Sequence, residues 1–505
     1  MLSRLKSTVR DTLIYSLSNV APKIVGVVLL PLYTAKLALG EFGNWDLLDI
    51  TISILAEIFI LGQATSVILL NNSPEYKEKK ESALFTISSF IFFICALLVI
   101  GALGVTSLFP EKFSSSQIGA SYIRLISYIV LLRVMNNIFL SKVRADEESV
   151  FYTAVSVLKI LLMTGITVYF VGYVEKGIEG ILYATAIAEF IGLIILSLKV
   201  VPQMQFRFDT EVLSAALKFG FPLLFASIGF LLLNLSDRYL IKFLLGSSAL
   251  APYGLAYRIA GILNMFFILP FTLGLMPVAY KYFGSEDDKR FFSKLMTYSS
   301  FFFIWGYIFL SLFSKEIVQI FAGREGYQNA HFLVPMILLA YVFSGMRLTA
   351  SLGMMLTKNT KHVAWITMSA AALNIVLNLI FIPRLGIAAA AASTLVSFVI
   401  FYIITQKLSD KYYSIPYENY KLALMVAAGS LMSAMIYFFP EINLFTGIII
   451  KLFITLLFPF ILYVFHFYEK AELEILLSPS KMYFFVKDTF KGAAKDEATR
   501  GEILQ

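Results

Sequence analysis

Residues Leu217 to Phe283 hold two long apolar runs parted by a short polar break. Each run is long enough to cross a bilayer, and that requirement constrains the whole chain. An Asp237–Arg238 pair closes the first run; the second begins with Tyr253 and carries Arg258 inside it. A weaker copy of the break lies near the start, in LGEFGNWDLLDI from Leu39 to Ile50. There Leu39, Gly40, Trp45 and Leu47 correspond to Leu245, Gly246, Tyr253 and Leu255, an offset of 206 to 208 residues. A second match, Gly177–Thr185 against Gly386–Thr394, has an offset of 209. Both segments read G-I-x-small, end in small-Thr, and open an apolar run. Small residues are common in membrane helices, but two matches at nearly one offset indicate a duplicated membrane protein. Such repeats are a signature of transporters, with the substrate path between the halves.

Hydrophobic residues make up 59% of the chain and charged residues 15%, the balance of a polytopic membrane protein. The net charge of +8 therefore reads as the positive-inside bias of cytoplasmic loops and not as a nucleic-acid footprint. The single cysteine, Cys95, lies in an apolar run and cannot form an internal disulfide. His331, His362 and His466 are too far apart in sequence for a metal-ligand pattern. No phosphate-binding G-x-x-x-x-G-K-[ST] loop, nucleophile elbow or H-E-x-x-H motif is present. The sequence thus predicts no enzyme, no cofactor and no built-in ATP hydrolysis. Transport would draw on an ion gradient, the membrane potential or removal of substrate on the far side. The basic start, MLSRLKSTVRD, precedes an apolar run with no clear cleavage site and reads as an uncleaved first span.

Hydropathy predicts an all-α chain of about fourteen spans, centred from Val25 through Leu456. Residues 1–208 form an N-terminal six-helix lobe and 209–408 a C-terminal one. Residues 409–468 add two helices without a counterpart, and 469–505 form a tail. With the N-terminus inside, loops on that side carry eighteen Lys and Arg against six on the other. Both termini are therefore expected in the cytoplasm of a cell with its inner (plasma) membrane crossed many times. An even number of spans per lobe gives the lobes the same orientation, related by a pseudo-two-fold axis along the membrane normal.

The pattern FP…LNLSDRYLIKFLLG…APYGLAYRI…LGLMPVAY resembles the opening of the second half of polysaccharide (O-antigen, lipid-linked oligosaccharide) flippases. LNIVLNLIFIPRLGIAAAAASTLVS, from Leu373 to Ser397, resembles their eleventh and twelfth spans, and SNVAPKIVGVVLLPLYTAKLALGEFG their first. These flippases belong to the multidrug/oligosaccharidyl-lipid/polysaccharide (MOP) exporter superfamily. The resemblance implies two six-helix lobes in a MATE-like V around a central cavity, working by alternating access. It implies an undecaprenyl-pyrophosphate-linked oligosaccharide as substrate, carried from the cytoplasmic to the outer leaflet. Partners would be that lipid-linked glycan, membrane lipids, and glycosyltransferases or a polymerase of the same pathway. Two other readings stand beside it: a drug/cation antiporter of the same fold, and a membrane glycan polymerase or ligase. The first wants an unpaired intramembrane acid; the second wants a longer outer loop than Pro110–Ile118 or Ser314–Ala330 provides.

Charges inside a span each cost ~2.5–3.5 kcal/mol on insertion scales, so each needs a reason. The candidates are Lys23, Glu57, Arg124, Arg133, Lys159, Glu189, Arg258 and Arg347. Lys23 and Glu57 sit at similar depth across one turn, and Lys159 and Glu189 across another. Each pair reads either as a buried ion pair fixing helix packing or as a gating and coupling element. Arg347, Arg258, Arg124 and Arg133 have no acid at matching mid-span depth in the sequence. Arg258 is near enough to its span end to snorkel. Arg124 and Arg133 are half a turn out of phase, so one at most faces a cavity well. In the functional reading Arg347, Arg258, Lys23, Arg133, Arg124 and Lys159 bind the pyrophosphate, which suits the planar guanidinium fork, and Glu57 and Glu189 serve coupling or gating. Trp45, Tyr253 and Tyr257 read either as interfacial anchors or as platforms for sugar rings.

Overall fold

The computed structural model describes residues 21, 24–76, 78–110, 119–357, 359, 361–438, 443–469 and 473. Among them every regular element is helical. The first lobe comprises α1 (Ile24–Lys36), α2 (Leu39–Ile60), α3 (Gln63–Asn72), α4 (Lys80–Leu108), α5 (Ala120–Ala145), α6 (Ser149–Thr167) and α7 (Gly177–Val200). The second comprises α8 (Thr210–Leu245), α9 (Ser247–Leu263), α10 (Leu269–Tyr282), α11 (Asp288–Leu312), α12 (Ser314–Phe321), α13 (Ala330–Ala350), α14 (Leu352–Leu356), α15 (Lys361–Leu385) and α16 (Ile387–Asp410). Two further helices, α17 (Asn419–Ala434) and α18 (Leu444–Val464), follow.

Eleven helices among the described residues are long and apolar enough to cross a membrane, and twelve if α2 and α3, bent by 42°, are one span. The expected count of fourteen is not reached: at the positions of the expected first and thirteenth spans the described residues form shorter helices, Ile24–Lys36 and the 16-residue Asn419–Ala434. The tail lies outside the described residues except at Glu469 and Leu473. Within the first lobe α5 packs on α4 and α7, and α6 on α7; within the second α8 packs on α15, α15 on α16, α16 on α13 and α13 on α11. The added pair leans on α11. The Trp305 indole of α11 donates to the Thr455 carbonyl, and buried Lys451 ties the pair to α12 through Glu316 at 2.5 Å.

The internal repeat is visible in the backbone. Gly177 and Gly386, aligned at the offset of 209, open α7 and α16 with positive φ values of 54° and 65°. Glycine suits both corners because a Cβ disfavours that region. The other aligned segment opens α2 in one lobe and α9 in the other, and these two helices pack directly against each other. The pseudo-symmetry axis therefore passes through the contact between the lobes. We call the side where α1 ends and α2, α9 and α12 begin the α12 end of the bundle.

Candidate functional site

The face that α2 turns to the second lobe carries Asp46 and Asp49, three residues apart and so one above the other. α9 answers with Tyr253 and Tyr257, four residues apart, followed by Arg258; α8 contributes Asp237 and Arg238. Two glycines bring α2 and α9 together. A Cβ on Gly43 would lie 2.1 Å from the Ser247 carbonyl oxygen, and one on Gly254 would lie 2.9 Å from Asp46 Oδ2. With larger residues there the helices could not approach so closely.

At this contact one carboxylate holds two arginines of the opposite lobe. Arg238 Nε donates to Asp46 Oδ2 at 3.2 Å. Arg258 Nη2 and Nε donate to Asp46 Oδ1 at 2.8 and 3.2 Å, and Nη2 also reaches Asp49 at 3.4 Å. Asp237 accepts from the Tyr253 hydroxyl, from Arg238 Nη1 at 3.3 Å and from the Arg238 backbone N–H at 2.8 Å. Rings cover both guanidiniums: Arg258 lies 4.2 Å from the centre of the Trp45 ring and Arg238 4.0 Å from that of Tyr257. The polar seam continues on either side. Asn44 accepts from Lys242 and Ser247, each at 2.7 Å, and Thr51 bonds the Tyr239 hydroxyl at 2.7 Å. Farther along, Gln63 and Ser66 donate to the Ala216 carbonyl of α8.

Asp46 sits seven residues into α2, about 10 Å from its start at 1.5 Å per residue, inside the thickness of a hydrocarbon core. The buried charges of the cluster balance, Asp46 and Asp237 against Arg238 and Arg258, while Asp49 is 45% exposed at the edge. A buried ion pair adds little net stability when intact, but removing one partner costs about 3–5 kcal/mol because the other charge is stranded. Removing Asp46 from this contact would leave two guanidiniums without their shared carboxylate.

Of the described residues read from sequence as substrate-binding or coupling, Arg258 alone is in this cluster. It does not snorkel; Asp46 and Asp49 bind it from the other lobe. The expectation that Arg133 lacks an acid is also corrected: its Nε donates to Glu189 Oε1 at 3.3 Å. Lys159 meets Glu189 Oε2 at 2.5 Å, and Asn136 donates to the same oxygen at 3.0 Å. Arg133, Lys159 and Glu189 border a cavity of about 230 Å³ in the first lobe, whose lining includes none of the seam residues. Antiparallel neighbours α5, α6 and α7 bring them there, which is why depth matching found the Lys159–Glu189 pair. Arg124 donates to the Thr106 hydroxyl at 2.9 Å.

Arg347 lies inside the second lobe, buried, with its guanidinium 4.5 Å from the centre of the Phe401 ring. Its Nε has no hydrogen-bond partner, and no ion pair to it occurs among the described residues. Glu57 is half-buried on α2, three turns past Asp46; Lys23, its expected partner, lies outside the described residues. Trp45, Tyr253 and Tyr257 are buried in the closed seam beside the guanidiniums. Sequence reasoning passed over Asp46, Asp49, Asp237 and Arg238 as site residues. A signal existed: at an offset of 208 the counterpart of Asp46 is Gly254, the residue it touches.

Two helical lobes meeting on a charged seam inside the membrane define a multi-pass membrane transporter. The profile of the family described as "Polysaccharide biosynthesis protein" matches residues 8–283, and the MatE profile matches 222–380. The chain belongs to the polysaccharide biosynthesis protein family, within the MOP superfamily. No curated protein matches it by sequence. Among solved structures it is similar to the lipid II flippase MurJ in an inward closed conformation (TM-score 0.71, 16% identity, covering 90% of this chain and 100% of that one). It is also similar to an outward-facing multidrug resistance MATE family transporter (TM-score 0.59, 14% identity, 83% and 96% covered). A third likeness is to a MOP superfamily transporter from Pyrococcus furiosus with a binding pocket of reverse polarity (TM-score 0.60, 15% identity, 83% and 96% covered). At these identities the likeness is one of fold.

Proposed function

We propose that this protein is a flippase that moves undecaprenyl-pyrophosphate-linked oligosaccharide from the cytoplasmic to the outer leaflet of the inner (plasma) membrane, by alternating access, for cell-surface polysaccharide synthesis. In this reading both termini are cytoplasmic, residues 1–208 and 209–408 are the alternating lobes, and the α12 end faces outward. The observation that carries it is Asp46 holding Arg238 and Arg258 across the lobes. Opening the outer side pulls Asp46 away from both guanidiniums. A pyrophosphate carries two or more negative charges and several acceptor oxygens, so it can take over the forks that Asp46 leaves. The substrate would then compete with the water that enters the opened side and, through charge-assisted bonds to both guanidiniums, favour the open state. Arg347, buried in the second lobe with no ion pair among the described residues, would serve the same anion along its path. Arg133 and Lys159, sharing the single carboxylate Glu189, keep a cationic excess in the first-lobe cavity.

The second reading is a drug/cation antiporter, favoured by one feature: three carboxylates, Asp46, Asp49 and Asp237, gather at the seam. A glycan polymerase or ligase is disfavoured because the likenesses of fold are to a flippase and to transporters. The deciding experiment reconstitutes the protein in liposomes and measures transfer of labelled undecaprenyl-pyrophosphate oligosaccharide and, separately, of a lipophilic cation. Glycan transfer that is lost in Arg258→Ala supports the flippase. Cation transport without glycan transfer would establish the antiporter instead.

A further inference from the structure

The chain between α11 and α13 crosses from the second lobe to the first at the α12 end. Thr34 Oγ1 donates to the Phe321 carbonyl at 2.5 Å and accepts from the Gly323 N–H at 2.9 Å. Arg324 Nε donates to the Ala35 carbonyl at 2.8 Å. Tyr327, fully buried, packs edge-on against Phe42 at 5.4 Å between ring centres. A Cβ on Gly323 would lie 2.6 Å from the Ala35 backbone. Residues 321–327 are therefore a strap laid across the end of α1 and the start of α2, beyond the charged seam.

The opposite side of this strap is hollow. A cavity of about 600 Å³ opens there, bordered by Lys315, Gln319, Arg324, Glu325, Gln328 and Asn329. Its volume lies within the ~300–1,000 Å³ typical of small-molecule sites. Three side-chain amides offer paired donors and acceptors, the pattern that hydroxyl-rich molecules match. Of the charged side chains on its border, Arg324 carries a fork that can bind a carboxylate or phosphate bidentately. Cavity and strap share Gly323, whose N–H donates to Thr34, and Arg324, whose side chain borders the first and reaches the Ala35 carbonyl of the other lobe through the second.

We propose that this cavity is an external binding site for an anionic saccharide, and that occupancy draws Arg324 off the Ala35 carbonyl and loosens the strap. The proposal rests on the α12 end facing outward, as the proposed function has it. A carboxylate or phosphate on a sugar would compete for the Arg324 fork, and a charged pair outcompetes the neutral carbonyl. Ligand arriving on the outside, whether released cargo or finished glycan, would then bias the lobes toward opening.

The test uses purified full-length protein in nanodiscs, with Cys95→Ala and spin labels at Tyr173→Cys in the first lobe and Ile320→Cys on α12, both exposed. The probes are a glucuronate-containing disaccharide, glucose 6-phosphate, a neutral disaccharide and inorganic phosphate. Expected is binding of one or both sugar anions, with a longer distance between labels on binding; which of the two binds tells carboxylate from phosphate. Arg324→Ala should weaken binding at least tenfold and lengthen the distance without ligand. Gln328→Ala should weaken binding and leave the unliganded distance unchanged. Arg324→Lys, which keeps the charge, serves if Arg324→Ala does not fold. The proposal is overturned if neither sugar anion binds, if inorganic phosphate or the neutral disaccharide binds as tightly, or if binding leaves the distance unchanged. Because no transport is measured, failure here leaves the glycan-transfer experiment to judge the flippase reading separately.

Discussion

Replacing Asp46 by Asn keeps the shape of the seam and removes its central charge. Among the described residues, Arg238 and Arg258 then remain in the contact with Asp237 and the half-exposed Asp49 as their acids. Their side chains are 7% and 21% exposed, so Arg238 in particular cannot turn to water while the lobes are closed. Stranding a buried charge costs about 3–5 kcal/mol. Arg238 retains Asp237, which places the expected destabilisation of the closed state near the lower bound, about 3 kcal/mol. At 1.4 kcal/mol per tenfold, that lowers the closed-to-open ratio by about two orders of magnitude. Proximity of the lobes can be read directly. A Cβ on Gly40 of α2 lies 3.6 Å from Ser248 Oγ of α9, so cysteines at these positions, with Cys95→Ala, report closure by disulfide formation. Asp46→Asn should slow that cross-linking at least tenfold, with protein abundance unchanged. Cross-linking at the parental rate would refute the idea that Asp46 holds the lobes together.

Other consequences follow from particular contacts. Gly43→Ala places a methyl group against the Ser247 carbonyl oxygen and should cost about 1–3 kcal/mol as an overpacked contact, with cross-linking at 40/248 reduced; Gly274→Ala, whose Cβ would meet nothing within 4 Å, is the control and should leave it unchanged. Exchanging Lys159 and Glu189 should restore most of the transport lost in either single variant if the pair only fixes packing; failure at normal protein levels assigns them separate roles. Arg347→Ala should abolish glycan transfer without loss of protein, and Arg347→Lys should restore it only in part because the fork is lost; full transfer by Arg347→Ala removes Arg347 from the path. Burial works against the charge on Glu418, but hydrogen bonds from Lys421, Lys294 and Thr297 outweigh it and hold the carboxyl below its ordinary range. A lowered folded-state value means stability present above the unfolded value of about 4.3 and lost as pH falls through the folded one. Thermal stability in detergent should therefore drop below about pH 4.3, and Glu418→Gln should show a shallower drop.

The spans and the repeat were legible because hydropathy and small residues act locally. Lys159 and Glu189 were legible for a related reason: adjacent antiparallel helices place residues equidistant from a turn at one depth. Arg133 was missed as a member of that group because its helix, α5, is not joined directly to α7. Asp46 and Arg258 are 212 residues apart and on different lobes. Depth alone could not pair them, since their contact depends on how one lobe is rotated against the other. The repeat contained that information. Equivalent helices of two symmetric lobes touch only where the axis passes, and the aligned Asp46 and Gly254 are in contact. Arg347 shows the converse limit. The sequence placed an arginine at mid-span, but not the Phe401 ring beneath it.

The central claim is that the α2–α9 seam parts during transport. A Gly40→Cys/Ser248→Cys protein, with Cys95→Ala, cross-linked to completion across the seam, tests it most directly. Transfer of undecaprenyl-pyrophosphate oligosaccharide in liposomes should cease on oxidation and return on reduction, while either single-cysteine protein transfers in both conditions. Undiminished transfer by the fully cross-linked protein would contradict the account.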